Sequence, residues 1–475
     1  MMSLPIKAAL LGAGRRGFHI YGKYAEKYKK KLRFVAIAEP IEKRREKFAR
    51  LHKITADRCF ESWEDLLSEK KLCDVLFICT QDQMHTEPTL LALDRGYHVL
   101  LEKPMAHRLS DCIKIVQKSE ETGKILGLSH VLRYTSFFSS IFNMIKNGLL
   151  GDIVNISQRE NISWYHMAHS FVRGPWANIE ESSPMILAKA CHDMDLLHWM
   201  VGSLPKKISS FGNLLHFRTE NAPRGAPKYC LDGCPARNTC NYYAPRIYID
   251  IIPIIQIMQK GGNRLYKFIG NFRKKHLRLL NLLAKIIPQF KRLRYWSEWP
   301  VYYLYKDEEE DYSDEAKIQI LKTSPYGRCV YYCNNNVVDH QVVNIEFENA
   351  VTANFTMHGF SEKEGRTLRI DGTKATIIGE FHDAYKKLTL YNHYSGEKKV
   401  ILNQKLSFRT VEHGGGDVKL IDAFLQSIIN PNIEQPLTNA RECLESHLMA
   451  FAANESRIKG TVIDMDDYRK KSEHL

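Results

Sequence analysis

Three small groups of residues carry the chemistry open to this chain. Gly12, Gly14 and Gly17 stand in G-x-G-x-x-G spacing, with Arg15 and Arg16 inside the same turn, and Glu39 follows twenty-two residues after the last glycine. The first glycine permits a tight turn, and the second lets the backbone approach a pyrophosphate. The third lets a helix pack close to a strand while its N-terminal N–H groups face phosphate charge. Glu39 can accept hydrogen bonds from both hydroxyls of a ribose, which favours NAD over NADP. The second group is Glu102-Lys103-Pro104, and the third is Lys189, His192 and Asp193, which share one helical face at i, i+3 and i+4. A dinucleotide that accepts a hydride from a secondary alcohol needs a base for the hydroxyl proton, and Lys103, at a strand's carboxyl end, can be that base. Lys189, His192 and Asp193 are costly to bury without a role.

These groups need a frame to position them. Ile6 to Leu11 reads as a buried strand, Arg15 to Lys30 as the helix after the turn, and Leu32 to Ala38 as the strand that delivers Glu39. Glu42 to His52 has helical composition. Asp74 to Thr80 is a third apolar strand, and it runs into a loop that places Thr80 and His85 at the carboxyl edge, where such sheets bind ligands. A helix over Glu87 to Arg95, a strand over His98 to Leu101, a helix over Asp111 to Thr122 and a strand over Lys124 to Ser129 continue the alternation. The expectation is an α/β Rossmann domain, a doubly wound parallel sheet, over residues 1–130.

Past Arg133 the pattern changes. Asp152 to Arg159, Val342 to Phe347, Val351 to Met357, Thr367 to Ile370, Ala375 to Gly379 and Lys387 to Tyr391 read as strands. Ile186 to Met200, Val418 to Ile429 and Asn439 to Ile458 read as helices. Residues 131–475 are therefore expected to form an α+β domain with an open, mostly antiparallel sheet.

A length of 475 residues leaves room for two or three domains. The net charge of +14 is local, because Ile251 to Trp296 holds eleven Lys or Arg and no Asp or Glu. Without that segment about +3 remains, which argues against a nucleic-acid binder. The strand at Ile6 leaves no room for a signal-peptide core ahead of it, and later apolar clusters are interrupted by charge. A cytoplasmic location follows, with the eleven cysteines as thiols or metal ligands instead of disulfides.

Gly12-x-Gly14-x-x-Gly17, Glu102-Lys103-Pro104, Cys191-His192-Asp193-Met194-Asp195 and the closing helix together resemble the Gfo/Idh/MocA family of NAD(P)-dependent oxidoreductases. The resemblance spans nearly the whole chain except the basic segment. It implies a Rossmann domain followed by an α+β domain whose open sheet often mediates oligomers, so a homodimer or homotetramer is expected. It also implies hydride transfer at a carbon of a sugar, cyclitol or related polyol. By resemblance, Lys103 hydrogen-bonds ribose and substrate, Glu102 contacts the ribose or nicotinamide side, and His192 matches the family's active-site histidine. Many members carry an aspartate four residues before that histidine; here the position is Ala188, and Lys189 is the neighbouring polar group.

Trp164 to Trp176 mixes aromatic rings, two histidines and an arginine. Aromatic faces suit sugar rings and a guanidinium suits a carboxylate or phosphate, so Tyr165, His166, His169, Arg173 and Trp176 are read as a substrate wall. Arg133, Asp193 and His413 are placed with it, while Asp417 is read as the N-cap of the next helix. Loop packing is the plain alternative for the aromatics. Cys230, Cys234 and Cys240, with Cys329, Cys333 or His216 to complete a shell, read equally as a structural zinc site or as free thiols. In the basic segment, Phe272, Leu279, Leu283, Ile286, Phe290 and Leu293 recur at helical spacing. A hairpin packed on a neighbouring subunit, or lidding the site, is preferred there to a helix lying on an anionic membrane.

The leading expectation is an NAD-dependent oxidoreductase acting on a carbohydrate-like small molecule, with Lys103, His192 and Lys189 catalytic. One alternative is a glycoside hydrolase or lyase that keeps NAD bound and oxidises, eliminates and reduces in turn. Another is a non-catalytic, NAD-dependent sensor that binds a partner protein.

Overall fold

The computed structural model describes residues 5–260, 314–382, 385–405, 415–430 and 438–473, with isolated positions between 261 and 313. His413 and, in the basic segment, Phe272, Leu279, Ile286, Phe290 and Leu293 lie outside the described residues.

The apolar run Ile6–Leu11 forms β1, and Ala8 to Leu11 are wholly buried because helices cover both faces of the sheet. Around it lie β2 (Leu32–Ala38), β3 (Cys59–Phe60), β4 (Val75–Ile78), β5 (His98–Leu101) and β6 (Leu126–Leu128). All pair in parallel, in the order β3-β2-β1-β4-β5-β6. This is the doubly wound sheet expected. The strand order reverses between β1 and β4, where Leu11 and Ile78 lie in register, and in such sheets ligands bind in the crevice outside the carboxyl ends of the strands at that point. The expected helix over Arg15 to Lys30 is shorter and less regular. Wide helical turns run from Arg15 to Gly22, and an α-helix from Lys23 to Lys27 ends the element.

The second sheet has nine strands. β7 (Ile153–Ser163), β8 (Pro205–Asn213), β9 (His340–Phe347), β10 (Thr352–Ser361), β11 (Gly365–Gly372), β12 (Ala375–His382), β13 (Tyr385–Asn392), β14 (Lys398–Lys405) and β15 (Ile463–Asp464) lie in the order β14-β13-β12-β11-β7-β10-β9-β8-β15. Only β7 and β10 pair in parallel. β8, β14 and β15 carry no clear strand signal in the sequence. β8 opens on Pro205 and two lysines, and β14 is a lysine-rich edge of the kind that discourages pairing with another chain.

Two late helices tie the sheets together. Ala440–Lys459 starts on Asn439, whose Oδ1 accepts from the Glu442 N–H, and stops at Gly460, where φ is +67°. It packs against the helices Leu109–Thr122 and Cys191–Val201 and against β8. Gly416–Ile429 buries Leu420, Ile421, Phe424 and Leu425 in one core with Ala8, Leu10 and Phe77 of the first sheet. Among the described residues no helix is long and apolar enough to cross a membrane.

Phe424 also leans on Gly127 of β6, where a Cβ would come within 3.0 Å of its ring. Phe424→Ala is expected to lower unfolding free energy by about 3–5 kcal/mol, whereas Val400→Thr on the edge strand should change it by under about 0.5 kcal/mol. Urea denaturation followed by circular dichroism measures both.

Candidate active site

The glycine turn is built as its spacing demands. Gly12 has φ of +90°, and a Cβ there would stand 2.7 Å from the Cys79 carbonyl oxygen. At Gly17 a Cβ would meet the Gly12 carbonyl oxygen at 2.1 Å, so glycine is what lets the helix approach β1. Gly14 has open space in front of it. Glu39, at the end of β2, is buried beside this turn and accepts from the backbone N–H groups of Ala13 (2.7 Å) and Ile41 (3.0 Å). An open cradle, a helix N-terminus and a fixed acid at the end of β2 fit a dinucleotide, with the phosphates at the turn and a ribose at Glu39.

Arg16 sits deeper. Its Nε donates to Glu102 Oε1 (2.7 Å) and its Nη1 pairs with Asp417 (2.8 Å). Tyr21 donates to the same Glu102 oxygen (2.5 Å) and meets Ser129 at 2.8 Å. Asp417, expected as an N-cap, instead reaches from the Gly416–Ile429 helix to the glycine turn; Gly415 holds the cap position. His85 is buried, with Nδ1 2.8 Å from the Pro104 carbonyl and Nε2 3.3 Å from that of Thr80. It joins the two loops that frame the crevice.

Lys103 leaves β5 and extends its Nζ to the Ala188 carbonyl oxygen, 2.9 Å away. Here the structure corrects the expected continuous helix over Ile186 to Met200. Met185–Ala188 and Cys191–Val201 are separate helices, broken at Lys189 and Ala190. The Ala188 carbonyl points to Lys103, and the Lys189 side chain turns to Glu364 (2.9 Å) and Glu160 (3.2 Å). The position thus offers Lys103 a backbone oxygen in place of a side chain.

From Lys189 a chain of alternating charges runs through the interior. Glu160 pairs with Arg366, directly opposite it on β11, at 2.8 Å. Arg366 grips both oxygens of Asp193 at 2.8 Å each, and Gln158 donates to Asp193 at 2.6 Å. At the other end Glu364 meets His166 Nδ1 at 2.8 Å and accepts from the backbone and hydroxyl of Ser163. Burial opposes the charge on Lys189, but Glu364 and Glu160 outweigh it and hold the ammonium above the usual lysine range. Burial likewise opposes ionisation of Glu364, yet His166 and Lys189 hold its carboxyl well below the usual carboxylate range. Glu160 goes the other way: burial pushes its carboxyl up to about 7 against the pull of Arg366 and Lys189.

The expected substrate wall divides. His166 and Trp176 stay near the site, Trp176 through a 3.3 Å bond from its Nε1 to Asp82 in the loop after β4. Tyr165 and His169 go into a satellite core with Tyr248 and Tyr326, where His169 meets the Tyr248 hydroxyl at 3.1 Å and stacks on Tyr326. Arg173 is corrected from substrate anchor to loop brace. It is buried, with Nε bonded to the Arg328 carbonyl and Nη2 to that of Tyr242, both at 2.7 Å. Arg133 is corrected in the same way: its guanidinium, 1% exposed, makes two parallel bonds to Asp195 and a third to Glu442. Cys230, Cys234 and Cys240 do not bring three ligand atoms within 4.8 Å of one another, and Arg173 Nη2 instead lies 3.7 Å from the Cys230 sulfur.

Several residues of the site carry only faint sequence signals. On β7, Gln158 and Glu160 share the buried face with Ile156 and Ile162, and polar residues on an apolar face are that signal. Arg366 is likewise buried with Leu368 and Ile370. Glu364 precedes β11 and has no such periodicity. His130 follows β6 at the sheet's carboxyl edge, and its Nδ1 lies 3.3 Å from that of His192.

Comparison with known proteins agrees with this geometry. Residues 6–130 match the family model GFO_IDH_MocA, described as an oxidoreductase family with an NAD-binding Rossmann fold. The chain is 28% identical to 2,7-anhydro-N-acetylneuraminate hydratase of Escherichia coli strain K12 over 153 residues, 32% of this chain and 40% of that one. It is 31% identical to 1,5-anhydro-D-fructose reductase of Ensifer adhaerens over 146 residues, 30% of this chain and 42% of that one. It thus spans about two fifths of the length of either curated relative. In fold it is similar to an oxidoreductase from Agrobacterium radiobacter solved with NAD+, L-tartaric acid and magnesium, with a TM-score of 0.63 at 14% identity, covering 97% of this chain and 99% of that one. Residues 6–130 are thus similar to the NAD-binding Rossmann fold of the Gfo/Idh/MocA oxidoreductases.

Proposed function

We propose that this chain transfers a hydride between NAD and a secondary alcohol or ketone of a sugar, cyclitol or sugar derivative. The observation that carries the proposal is the meeting of Lys103 with the Ala188 carbonyl, 2.9 Å apart, at the carboxyl edge of the first sheet and just ahead of the helix that bears His192. NAD, when bound, supplies the hydride acceptor. Lys103 and His192 exchange the hydroxyl proton, and the Ala188 carbonyl aims the Lys103 amine. Lys189, kept as an ammonium by two carboxylates, orients substrate oxygens. Asp193, gripped by Arg366, fixes the start of the His192 helix, and His166 and Trp176 line the mouth. Glu39 favours NAD, because a 2′-phosphate would face its carboxylate. In this reading residues 1–130 hold the cofactor, residues 131–475 hold the substrate, and the open sheet joins copies into a cytoplasmic dimer or tetramer.

Glu160 favours a second reading, in which NAD stays bound and a transient oxidation drives hydration or elimination. Its carboxyl, pushed up by burial against the pull of Arg366 and Lys189, is a further acid–base group beyond the alcohol base. The matched hydratase supports the same reading.

Incubation of the purified protein with NAD and a panel of sugars, cyclitols and uronic acids tests both, with absorbance at 340 nm and chromatography of the products read in parallel. Net NADH formation is expected, and Lys103→Ala should reduce kcat/KM by about 10²–10⁴-fold. New products with a flat 340 nm trace would replace the first reading by the second. Glu39→Ala is expected to weaken NAD binding by about tenfold or more, as the loss of charge-assisted hydrogen bonds predicts, and to narrow the preference over NADP. Titration of cofactor fluorescence measures both.

A further inference from the structure

We infer that His447 is a positioning residue for Lys103: it accepts from the backbone N–H of Met105 and so fixes the loop from which Lys103 reaches the Ala188 carbonyl. The inference rests on the reading of Lys103 as a group that exchanges the hydroxyl proton.

The loop after β5 has few backbone donors. Pro104 has no N–H, and the Lys103 N–H turns back on its neighbour Glu102, 3.4 Å from Oε2. The Met105 N–H, wholly buried, donates to His447 Nε2 at 2.9 Å, between residues 342 apart in the sequence. The carbonyl of the same peptide unit, that of Pro104, lies 2.8 Å from His85 Nδ1. Two histidines, one from the loop after β4 and one from the Ala440–Lys459 helix, thus hold the two ends of a single peptide unit. Because that unit is planar, its orientation is set on both sides, one residue beyond Lys103.

The roles at His447 follow from its partners. A backbone N–H can only donate, so Nε2 accepts, and the single proton of the neutral ring sits on Nδ1, which donates to the Cys443 carbonyl at 2.9 Å. Burial outweighs the Cys443 carbonyl and Asp195 and pushes the imidazolium form down to about 4, which keeps the acceptor in place. The helix that carries His447 is itself fixed to the first sheet. Leu128 of β6 donates its N–H to the Thr438 carbonyl at 2.8 Å, and Gly127 pairs with Asn439. The same helix packs against Met185–Ala188. It therefore supports both partners of the Lys103–Ala188 bond, the amine through His447 and the carbonyl through the short helix that ends on it.

Competitive acetylation of the full chain with acetic anhydride, read at Lys103 by mass spectrometry, tests this without a substrate. His447→Phe keeps a buried ring but removes the acceptor, and should speed acetylation of Lys103 by about threefold or more, the factor one hydrogen bond is worth. His447→Gln, whose amide oxygen can stand where Nε2 stands, should return Lys103 to the wild-type rate. With the panel compound that forms NADH, His447→Phe is expected to lower kcat by about tenfold or more with KM within about twofold. In a Lys103→Ala background it should lower kcat no further, whereas a merely structural loss would act there too. An unmoved acetylation rate in folded His447→Phe, or a further fall in the Lys103→Ala background, overturns the inference. Histidine-selective ¹⁵N NMR of the wild-type chain, with His447 assigned through His447→Gln, is independent of whether the Phe variant folds: a proton on His447 Nε2 overturns the inference, and a bare Nε2 supports it. Full activity in Lys103→Ala overturns the underlying reading instead, and the acetylation rates and spectra, which need no turnover, tell the two failures apart.

Discussion

The buried alternation of charge from Asp193 through Arg366, Glu160 and Lys189 to Glu364 holds the site to the rest of the molecule. It crosses two adjacent strands of the large sheet and the break between the two helices above them. In such a chain each ion offsets the desolvation of its neighbours, and deleting one member strands the next, at a cost of about 3–5 kcal/mol. A hydrophobic patch of the same volume would stabilise the sheet as well or better. The arrangement is therefore better understood as geometry than as stability, since it fixes where the Lys189 ammonium stands and how the His192 helix begins.

That break explains how Ala188 serves the site. A regular helix through Lys189 would bind the Ala188 carbonyl in its own ladder. The interruption frees this oxygen to receive the Lys103 amine, so a backbone group does the orienting that a side chain could have done. The same break turns the Lys189 side chain toward the sheet and away from the Lys103 contact.

The first sheet is closed by a helix from the far end of the chain. Gly416–Ile429 buries its apolar face beneath β1 and β4 and brings Asp417 to Arg16 in the glycine turn. Arg16 in turn meets Glu102, the residue before Lys103. The glycine turn, the loop that carries Lys103 and the late helix are thus joined through the two ion pairs of Arg16.

The amino-acid sequence by itself determined the nucleotide-binding half. Glycine spacing, apolar runs of strand length and an acid at a strand end are local signals, and a parallel sheet with covered faces leaves few other ways to use them. It also marked Lys103, His192 and Lys189 as polar groups expensive to bury. Tertiary structure alone decided which of these groups meet. Lys103 finds a carbonyl eighty-five residues away, and Glu160 finds Arg366 through strand register. Arg133, Arg173 and His169, which composition alone assigns to a substrate wall, turn inward because carboxylate, carbonyl and ring partners await them there. The physical reason is one of range. Periodicity and spacing report how a segment buries its own apolar face, whereas the partner of a buried charge is set by the packing of segments distant in the chain.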